Sequence, residues 1–157
     1  MDALKELREE TGLSFAQIKK ALDEAGGDKK KARTVLAEYS ANSASKKADR
    51  EITAGVVSAY VHGSGAIGVL LELGCETDFV AKNEEFVALA KDLALHVCAM
   101  SPTSINNEDG LGEETALLSQ SFIKNPDMTV KQRLDGAVQK FGENTQVVRF
   151  VRYSIEG

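Results

Sequence analysis

The chain has few of the residues that mark metal, redox or disulfide-rich proteins. Its 157 residues include two cysteines, two histidines, two prolines and no tryptophan. Two cysteines cannot build a disulfide framework, and neither belongs to a CxxC pair. No apolar run reaches the roughly 20 residues that cross a bilayer, and residues 1–10 alternate in charge without the apolar segment of a signal peptide. We therefore expect a cytoplasmic protein without membrane contact.

Charge is distributed unevenly along the chain, whose net charge is −5. Residues 1–50 carry 11 Lys and Arg against 9 Asp and Glu, whereas residues 51–157 carry 8 against 15. An acidic body repels phosphate backbones, so direct nucleic-acid binding is not expected. The basic run Lys29-Lys30-Lys31 flanks an apolar helical stripe and lacks interleaved aromatics, which favours a solvated helix face over a nucleic-acid site.

Residues 1–40 have the apolar spacing of three short helices. Ser14 and Gln17 form a capping box that predicts the start of the second helix, and Asp28 can cap the third. The apolar residues recur at helical spacing, and they are Leu4, Leu7, Phe15, Ile18, Leu22, Val35 and Leu36. Residues 41–52 are small, polar and basic, and are predicted to form a linker that is helical in part.

From Thr53 onward the apolar period changes from 3.6 to 2, which predicts β-strands. Two alternating stretches flank Gly63-Ser64-Gly65, which is typical of a hairpin. The second strand has one continuous apolar face, made of Ile67, Val69, Leu71, Leu73 and Cys75. Its other face mixes apolar and acidic residues.

The rest of the chain predicts two helices and a third strand. Asn83 caps the first of these helices, and Thr129 with Gln132 forms a capping box for the second, which Gly142 ends. The last strand, about residues 145–154, is expected to alternate with Val147, Arg149, Val151 and Tyr153 on one face. Residues 53–157 are thus predicted to form an α+β core, an antiparallel three-stranded sheet packed with helices. Its free edge and outer face predict oligomerisation.

Few residues could carry covalent chemistry or hold a metal. One set of residues could supply a nucleophile, a base and an acid, namely Cys75, His62 and Asp78. The apolar strand face that Cys75 shares, however, predicts a buried, inert thiol. His96 and Cys98 lie two apart on a predicted helix and point about 200° from each other, which is wrong for joint metal ligation. The sequence has no phosphate loop or nucleophile elbow. We expect no catalytic residue, metal or cofactor.

The segment Thr77-Asp78-Phe79-Val80 lies between a buried strand and the helix predicted after Asn83. A bulky aromatic residue beside an acid at such a turn suits protein recognition, since it offers an anchor and a directional charge. Spacing alone leaves the alternative open that Phe79 packs into the chain's own core and that Asp78 only caps the helix.

Five groups of motifs follow one another along the whole chain. They are LKELREETG at residues 4–12, KKAL at 19–22 with Gly27-Asp28, Lys46-Lys47, CETDFVAK at 75–82, and Gly142-Glu143-Asn144 with RFVR at 149–152. Together they resemble the bacterial and organellar translation elongation factor Ts family, and Thr77-Asp78-Phe79-Val80 is the most specific of them. The resemblance covers the chain from end to end.

The resemblance implies a guanine-nucleotide exchange factor that binds elongation factor Tu. In the family, the acid and the aromatic residue of this segment wedge between two helices of the partner's GTPase domain and disturb its Mg²⁺ and phosphate site. Carried over, Asp78 and Phe79 would form the wedge, with Thr77 and Val80 shaping the turn. The alternative function is a non-exchanging adaptor or a ribosome-associated protein-binding module.

The resemblance also implies a fold and a second contact. Residues 1–40 would form a ubiquitin-associated-like three-helix bundle that docks on the same GTPase domain through Arg8, Phe15, Ala16 and Lys19. Ala16 stands where a methionine is usual. Longer family members have a second core subdomain or a helical insertion where residues 101–112 offer only a short loop. We therefore expect a homodimer through the sheet of residues 53–155.

Overall fold

The computed structural model describes residues 2–156, so Met1 and Gly157, the end residues of the two predicted domains, lie outside the described part. Residues 2–156 form an N-terminal group of helices followed by a mixed helix and sheet core, which confirms the predicted α+β class. No helix in this part of the chain is long and apolar enough to span a bilayer.

Three helices make up the N-terminal module: α1 (Asp2–Thr11), α2 (Phe15–Glu24) and α3 (Lys29–Lys47). The predicted capping box between Ser14 and Gln17 begins α2, and Asp28 begins α3 by accepting a hydrogen bond from the Lys31 N–H. The module has its own small apolar core of Leu7, Leu13, Ile18, Ala21, Ala32 and Leu36.

Helix α3 is longer than the apolar stripe in the sequence indicates. It runs on to Lys47, so residues 41–47 of the predicted linker are helical. The helix packs against a core helix, α6 (Val130–Phe141). The side chain of Ser40 also donates a hydrogen bond to Gln139. Packing against α6 therefore stabilises a helical stretch that its small polar residues do not specify alone.

The core contains the remaining α-helices and strands, together with two 3-10 turns at Glu113–Thr115 and Leu117–Ser119. The helices and strands are β1 (Ala54–His62), β2 (Ile67–Cys75), α4 (Asp78–Ala81), α5 (Glu84–Met100), β3 (Ser121–Phe122), β4 (Asn125–Thr129), α6 as given above, and β5 (Gln146–Ser154). The main sheet is antiparallel in the order β1-β2-β5, and β3 and β4 form a small separate hairpin. As predicted, the apolar face of β2 is buried from Val69 to Cys75, with Ile67 partly buried, and it packs against α5.

The simple alternation predicted for β5 is wrong at its beginning. Val147 pairs with Leu73 and is buried, whereas Arg149, Val151 and Tyr153 lie on the opposite, outer face. The register shifts between these pairs because Val148 is an extra, bulged residue. A Cβ on Gly74 would lie 2.8 Å from the Val148 side chain, so a glycine there makes room for the bulge.

A buried histidine links α5 to the β3–β4 hairpin. His96 Nε2 lies 2.9 Å from the Gln120 side-chain oxygen, and its Nδ1 accepts a hydrogen bond of 3.1 Å from the Ile123 N–H. Its ring also stacks on Phe122. Both ring nitrogens are thus engaged in a neutral ring that carries its proton on Nε2.

We expect the chain to lose stability as the pH falls below about 6.5, because His96 must then become charged. Burial lowers its pKa below the ordinary 6.5, against a smaller opposing effect of the Gln120 hydrogen bond. The unfolded chain therefore takes up the proton first, so the free energy of unfolding is fully present above about pH 6.5 and falls as the pH drops through the folded-state pKa. Urea unfolding at a series of pH values measures this loss. His96→Phe should flatten the loss and His62→Gln, at the exposed histidine, should not; an unchanged slope in His96→Phe contradicts the prediction.

Candidate functional site

The segment Thr77-Asp78-Phe79-Val80 forms the turn that leads out of the central strand. Strand β2 ends at Cys75, and the single-turn helix α4 begins at Asp78. Thr77 is the N-cap of α4: its hydroxyl oxygen accepts a hydrogen bond of 3.3 Å from the Val80 N–H. A hydroxyl at this position satisfies a backbone N–H that the first turn of a helix leaves without a partner, so Thr77 favours the start of α4 at Asp78.

The four side chains of this turn have different environments. Val80 is buried, and Ala81 beside it is buried as well, so the end of α4 is anchored in the core. Phe79, in contrast, is 86% exposed. Thr77 and Asp78 are exposed too. The structure therefore excludes the alternative that Phe79 packs into the chain's own core, and it presents the ring and the carboxylate of Asp78 to solvent together.

Glu143, which follows the last turn of α6, holds the other side of this turn. Its carboxylate accepts hydrogen bonds from the N–H groups of Glu76 and Thr77, at 3.1 and 3.0 Å, and from the Thr77 hydroxyl, at 2.7 Å. Glu143 is 66 residues away from Thr77 in the chain. No local pattern predicts this contact, and in the sequence Glu143 stands out only as part of the motif Gly142-Glu143-Asn144.

Asn144 and Glu76 extend these contacts to the end of the N-terminal module. The Asn144 N–H donates to the Glu76 carboxylate at 2.6 Å, and its side-chain amide donates to the carbonyl oxygens of Ala48 and Arg50. Arg50 also lies 3.6 Å from the Glu76 carboxylate. Asn144 is buried, so the exit of β2, the start of β5 and the residues after α3 are connected around one side chain.

The structure does not bring together the residues considered for nucleophilic chemistry. The strand register pairs Ala54 with Cys75 and His62 with Ile67, so Cys75 and His62 lie at opposite ends of the β1–β2 hairpin. Eight residues of strand separate these ends by roughly 26 Å. Burial, and to a smaller extent the Glu143 carboxylate, raise the pKa of the Cys75 thiol. A buried thiol that is kept protonated is a poor nucleophile, as its apolar strand face predicts.

The second predicted contact surface lies on the N-terminal module. Arg8 on α1 and Phe15, Ala16 and Lys19 on α2 are all exposed, and Phe15 is half-exposed despite its large apolar ring. Ile18, one residue before Lys19, is fully buried in the module's core. Helix α2 therefore presents Phe15, Ala16 and Lys19 to solvent while its other face holds the bundle together.

Within residues 2–156, no three or more His, Cys, Asp or Glu side chains are grouped closely enough to coordinate a metal ion. His96 and Cys98 are both buried in the core, and both ring nitrogens of His96 already have protein partners. The described residues thus offer an exposed turn at Asp78 and Phe79 and exposed side chains on α2, but no cluster that could coordinate a metal ion.

Comparison with known proteins gives a consistent result. The family model described as "Elongation factor TS" matches residues 29–110, which include the turn at Thr77 to Val80. Elongation factor Ts of Carboxydothermus hydrogenoformans is 41% identical and is matched over 97% of this chain and 87% of its own length. The corresponding proteins of Thermodesulfovibrio yellowstonii and Leptospira biflexa are each 40% identical, over 97% and 99% of this chain and 94% and 97% of their own lengths.

These alignments also show where the chain differs in length. They extend over 187 to 192 positions although the chain has 157 residues, so the relatives carry residues inside the matched span that have no counterpart here. Identity at this level across almost the entire chain, together with the family match over more than half of it, shows the relationship. The chain belongs to the elongation factor Ts family and is a translation elongation factor.

Proposed function

We propose that this chain is a guanine-nucleotide exchange factor for elongation factor Tu, and that Asp78 and Phe79 are inserted between two helices of the partner's GTPase domain. One observation carries the proposal: Phe79 is 86% exposed on a turn whose neighbouring residues are held by the core. A free phenylalanine ring at such a position has no structural task within its own chain. It is suited to fill an apolar gap in another protein, with the Asp78 carboxylate beside it.

The physical basis of exchange in this proposal is thermodynamic coupling. If the chain binds the nucleotide-free partner more tightly than the GDP-bound partner, it must weaken GDP binding by the same factor. The wedge supplies this difference, because it fits only when the elements that hold Mg²⁺ and the phosphates have moved. Exchange makes and breaks no covalent bond, so the mechanism requires no catalytic acid, base or cofactor from this chain. We expect the chain to act in the cytoplasm with its partner.

The N-terminal module provides a second contact in this proposal. Arg8, Phe15, Ala16 and Lys19 would bind the same GTPase domain and hold the core close enough for Phe79 to act. This contact raises the local concentration of the wedge without taking part in exchange. Because Ala16 offers little contact area, most of the apolar contact would come from Phe15.

The decisive experiment measures release of a fluorescent GDP analogue from elongation factor Tu with and without this chain. The proposed function predicts that catalytic amounts of the chain accelerate release, and that excess Mg²⁺ opposes the acceleration. A non-exchanging adaptor would bind the partner, as seen by calorimetry, and leave the release rate unchanged. Binding without acceleration would therefore contradict exchange and favour the adaptor.

We also propose that two copies of the chain pair through the outer face of the main sheet. This face exposes apolar side chains from all three strands, namely Val57, Val61, Leu70, Val151 and Tyr153. Glu72 and Arg149 form an ion pair of 2.8 Å on the same face. A continuous apolar face next to a polar pair resembles the centre and rim of a protein interface, and a second copy of the same face would cover it.

We expect Leu70→Glu to convert the dimer into a monomer. Leu70 lies on the central strand of the sheet, so a carboxylate there would be buried without a partner in the dimer. Sedimentation equilibrium at micromolar concentration measures the effect. Leu111→Glu, at an exposed loop leucine, is the matched control and should remain dimeric. A monomeric wild-type chain, or a Leu70→Glu variant that still dimerises, would contradict this arrangement.

A further inference from the structure

The side chain that would act on the partner is poorly held by its own contacts. Phe79 is 86% exposed and lies on a helix of four residues, so almost none of its surface is packed against this chain. Ordering a free side chain or turn at the moment of binding reduces the free energy available for the interaction. The position of Phe79 must therefore come from the backbone on either side of it.

One of the two supports is the buried end of α4, and the other is Glu143. The Glu143 carboxylate accepts from three donors at once, two backbone N–H groups and the Thr77 hydroxyl, all within 3.1 Å. The Thr77 hydroxyl that donates to Glu143 also accepts from the Val80 N–H. Glu143 thus fixes the residue that caps α4, two positions before Phe79.

Glu143 is itself held in place. Gly142 ends α6 in a left-handed conformation, with φ of 72°, and its N–H bonds to the Val138 carbonyl oxygen at 2.9 Å. On the other side, Asn144 is buried and bonded to Glu76, and the Thr145 hydroxyl donates to the Glu143 carbonyl oxygen. A carboxylate on a fixed backbone with three donors forms a rigid connection between α6 and the turn.

We infer that Glu143 is a positioning residue for exchange: it orients Thr77 and thereby sets the direction in which Phe79 projects. This inference rests on the proposed function, since it concerns the same wedge. Glu143 does not touch the partner in this account; it acts through Phe79. Its loss leaves the ring present and exposed but no longer directed, which lowers the maximal rate of exchange more than the affinity for the partner.

The test measures the maximal rate of GDP release and the half-saturating concentration for Glu143→Ala and Glu143→Gln. Glu143→Ala is expected to lower the maximal rate about 10-fold, because small displacements of an acting group have large effects on rate. Glu143→Gln keeps an oxygen that can accept from both backbone N–H groups, so it should stay within about 3-fold of wild type. Glu113→Ala, at an exposed glutamate between α5 and β3, is the control and should not change either quantity. A folded Glu143→Ala chain with the wild-type maximal rate would overturn the inference.

A second comparison separates positioning from a general structural effect. In the Phe79→Ala background, Glu143→Ala is expected to cause little further loss, less than about 2-fold, because the two residues act as one unit. Equal losses in both backgrounds would show that Glu143 only stabilises the fold, and would overturn the inference. If Phe79→Ala alone exchanges at the wild-type rate, the wedge itself is wrong, which is a different result from a failure of Glu143 alone.

If Glu143→Ala does not fold, the maximal exchange rates of Glu143→Asp and Glu143→Gln are compared to test whether Glu143 positions the turn. Aspartate keeps the charge but is shorter by one methylene group, whereas glutamine keeps the reach. Positioning predicts that aspartate slows the maximal rate more than glutamine, with circular dichroism showing both chains folded. The reverse order would overturn the inference, because charge and not reach would then be what matters.

Discussion

Truncating Phe79 to alanine is expected to slow GDP release from elongation factor Tu by at least about 30-fold, while the stability of the chain stays almost unchanged. Loss of an interface hot spot costs about 2 kcal/mol or more, which corresponds to this factor in rate if the contact is made in the exchange step. The ring is 86% exposed, so its removal leaves no cavity in the chain. Substitutions at such surface positions usually change the free energy of unfolding by less than about 0.5 kcal/mol. Stopped-flow GDP release and thermal unfolding measure the two quantities.

The controls for this prediction are a second exposed residue and the neighbouring acid. Ile155 is as exposed as Phe79, so Ile155→Ala removes a comparable surface side chain away from the turn and should exchange normally. Asp78→Ala should slow release as well, by a smaller factor, because the carboxylate gives direction and not most of the contact area. Undiminished rates in both Asp78→Ala and Phe79→Ala would show that the wedge is not how this chain acts.

Phe79 and Phe86 show what the sequence can and cannot predict about side-chain location. Phe86 begins an apolar stripe that continues over Leu89, Ala90 and Leu93, so helical period predicts its burial, and it is fully buried. Phe79 lies on a single helical turn, which is too short to have a period. Its exposure depends on how the turn is placed by the core, so no spacing rule could separate a buried ring from an exposed one there.

The sequence also could not predict the bulge in β5 or the hydrogen bonds of Glu143, because neither follows from local spacing. Alternation predicts the faces of a strand only while the register is unbroken, and one extra residue at Val148 reverses the side that Val147 takes. Glu143 binds donors 66 residues earlier in the chain, a contact made only after β2 and α6 have packed. Capping boxes, in contrast, are completed within four residues, and both predicted boxes are present. Local rules therefore predicted the longer helices and the three strands of the main sheet, but not the β3–β4 hairpin or α4, and the site depends on contacts between distant segments.

Truncating Phe86 to alanine is expected to destabilise the chain by about 3–5 kcal/mol. The ring is fully buried at the start of α5 and packs edge-on against Phe141, with 5.8 Å between ring centroids. Its removal leaves a cavity between α5 and α6 and also loses an aromatic pair that contributes roughly 0.5–1.5 kcal/mol beyond its buried area. Chemical denaturation in urea measures the change as a shift in midpoint at constant slope.

Phe86→Leu is the matched control, because leucine fills much of the same volume and should cost less than alanine does. A loss below about 1.5 kcal/mol for Phe86→Ala would mean that the core does not depend on this ring.

Measured together, the two phenylalanine variants are expected to separate effects on stability from effects on exchange. Phe86→Ala lowers the fraction of folded chain and leaves Phe79 in place, so exchange per folded molecule should stay near the wild-type value at low temperature. Phe79→Ala should slow exchange and leave the fraction of folded chain unchanged. In the wild-type chain this ring faces solvent, so it contributes almost nothing to folding and is free to contact another protein.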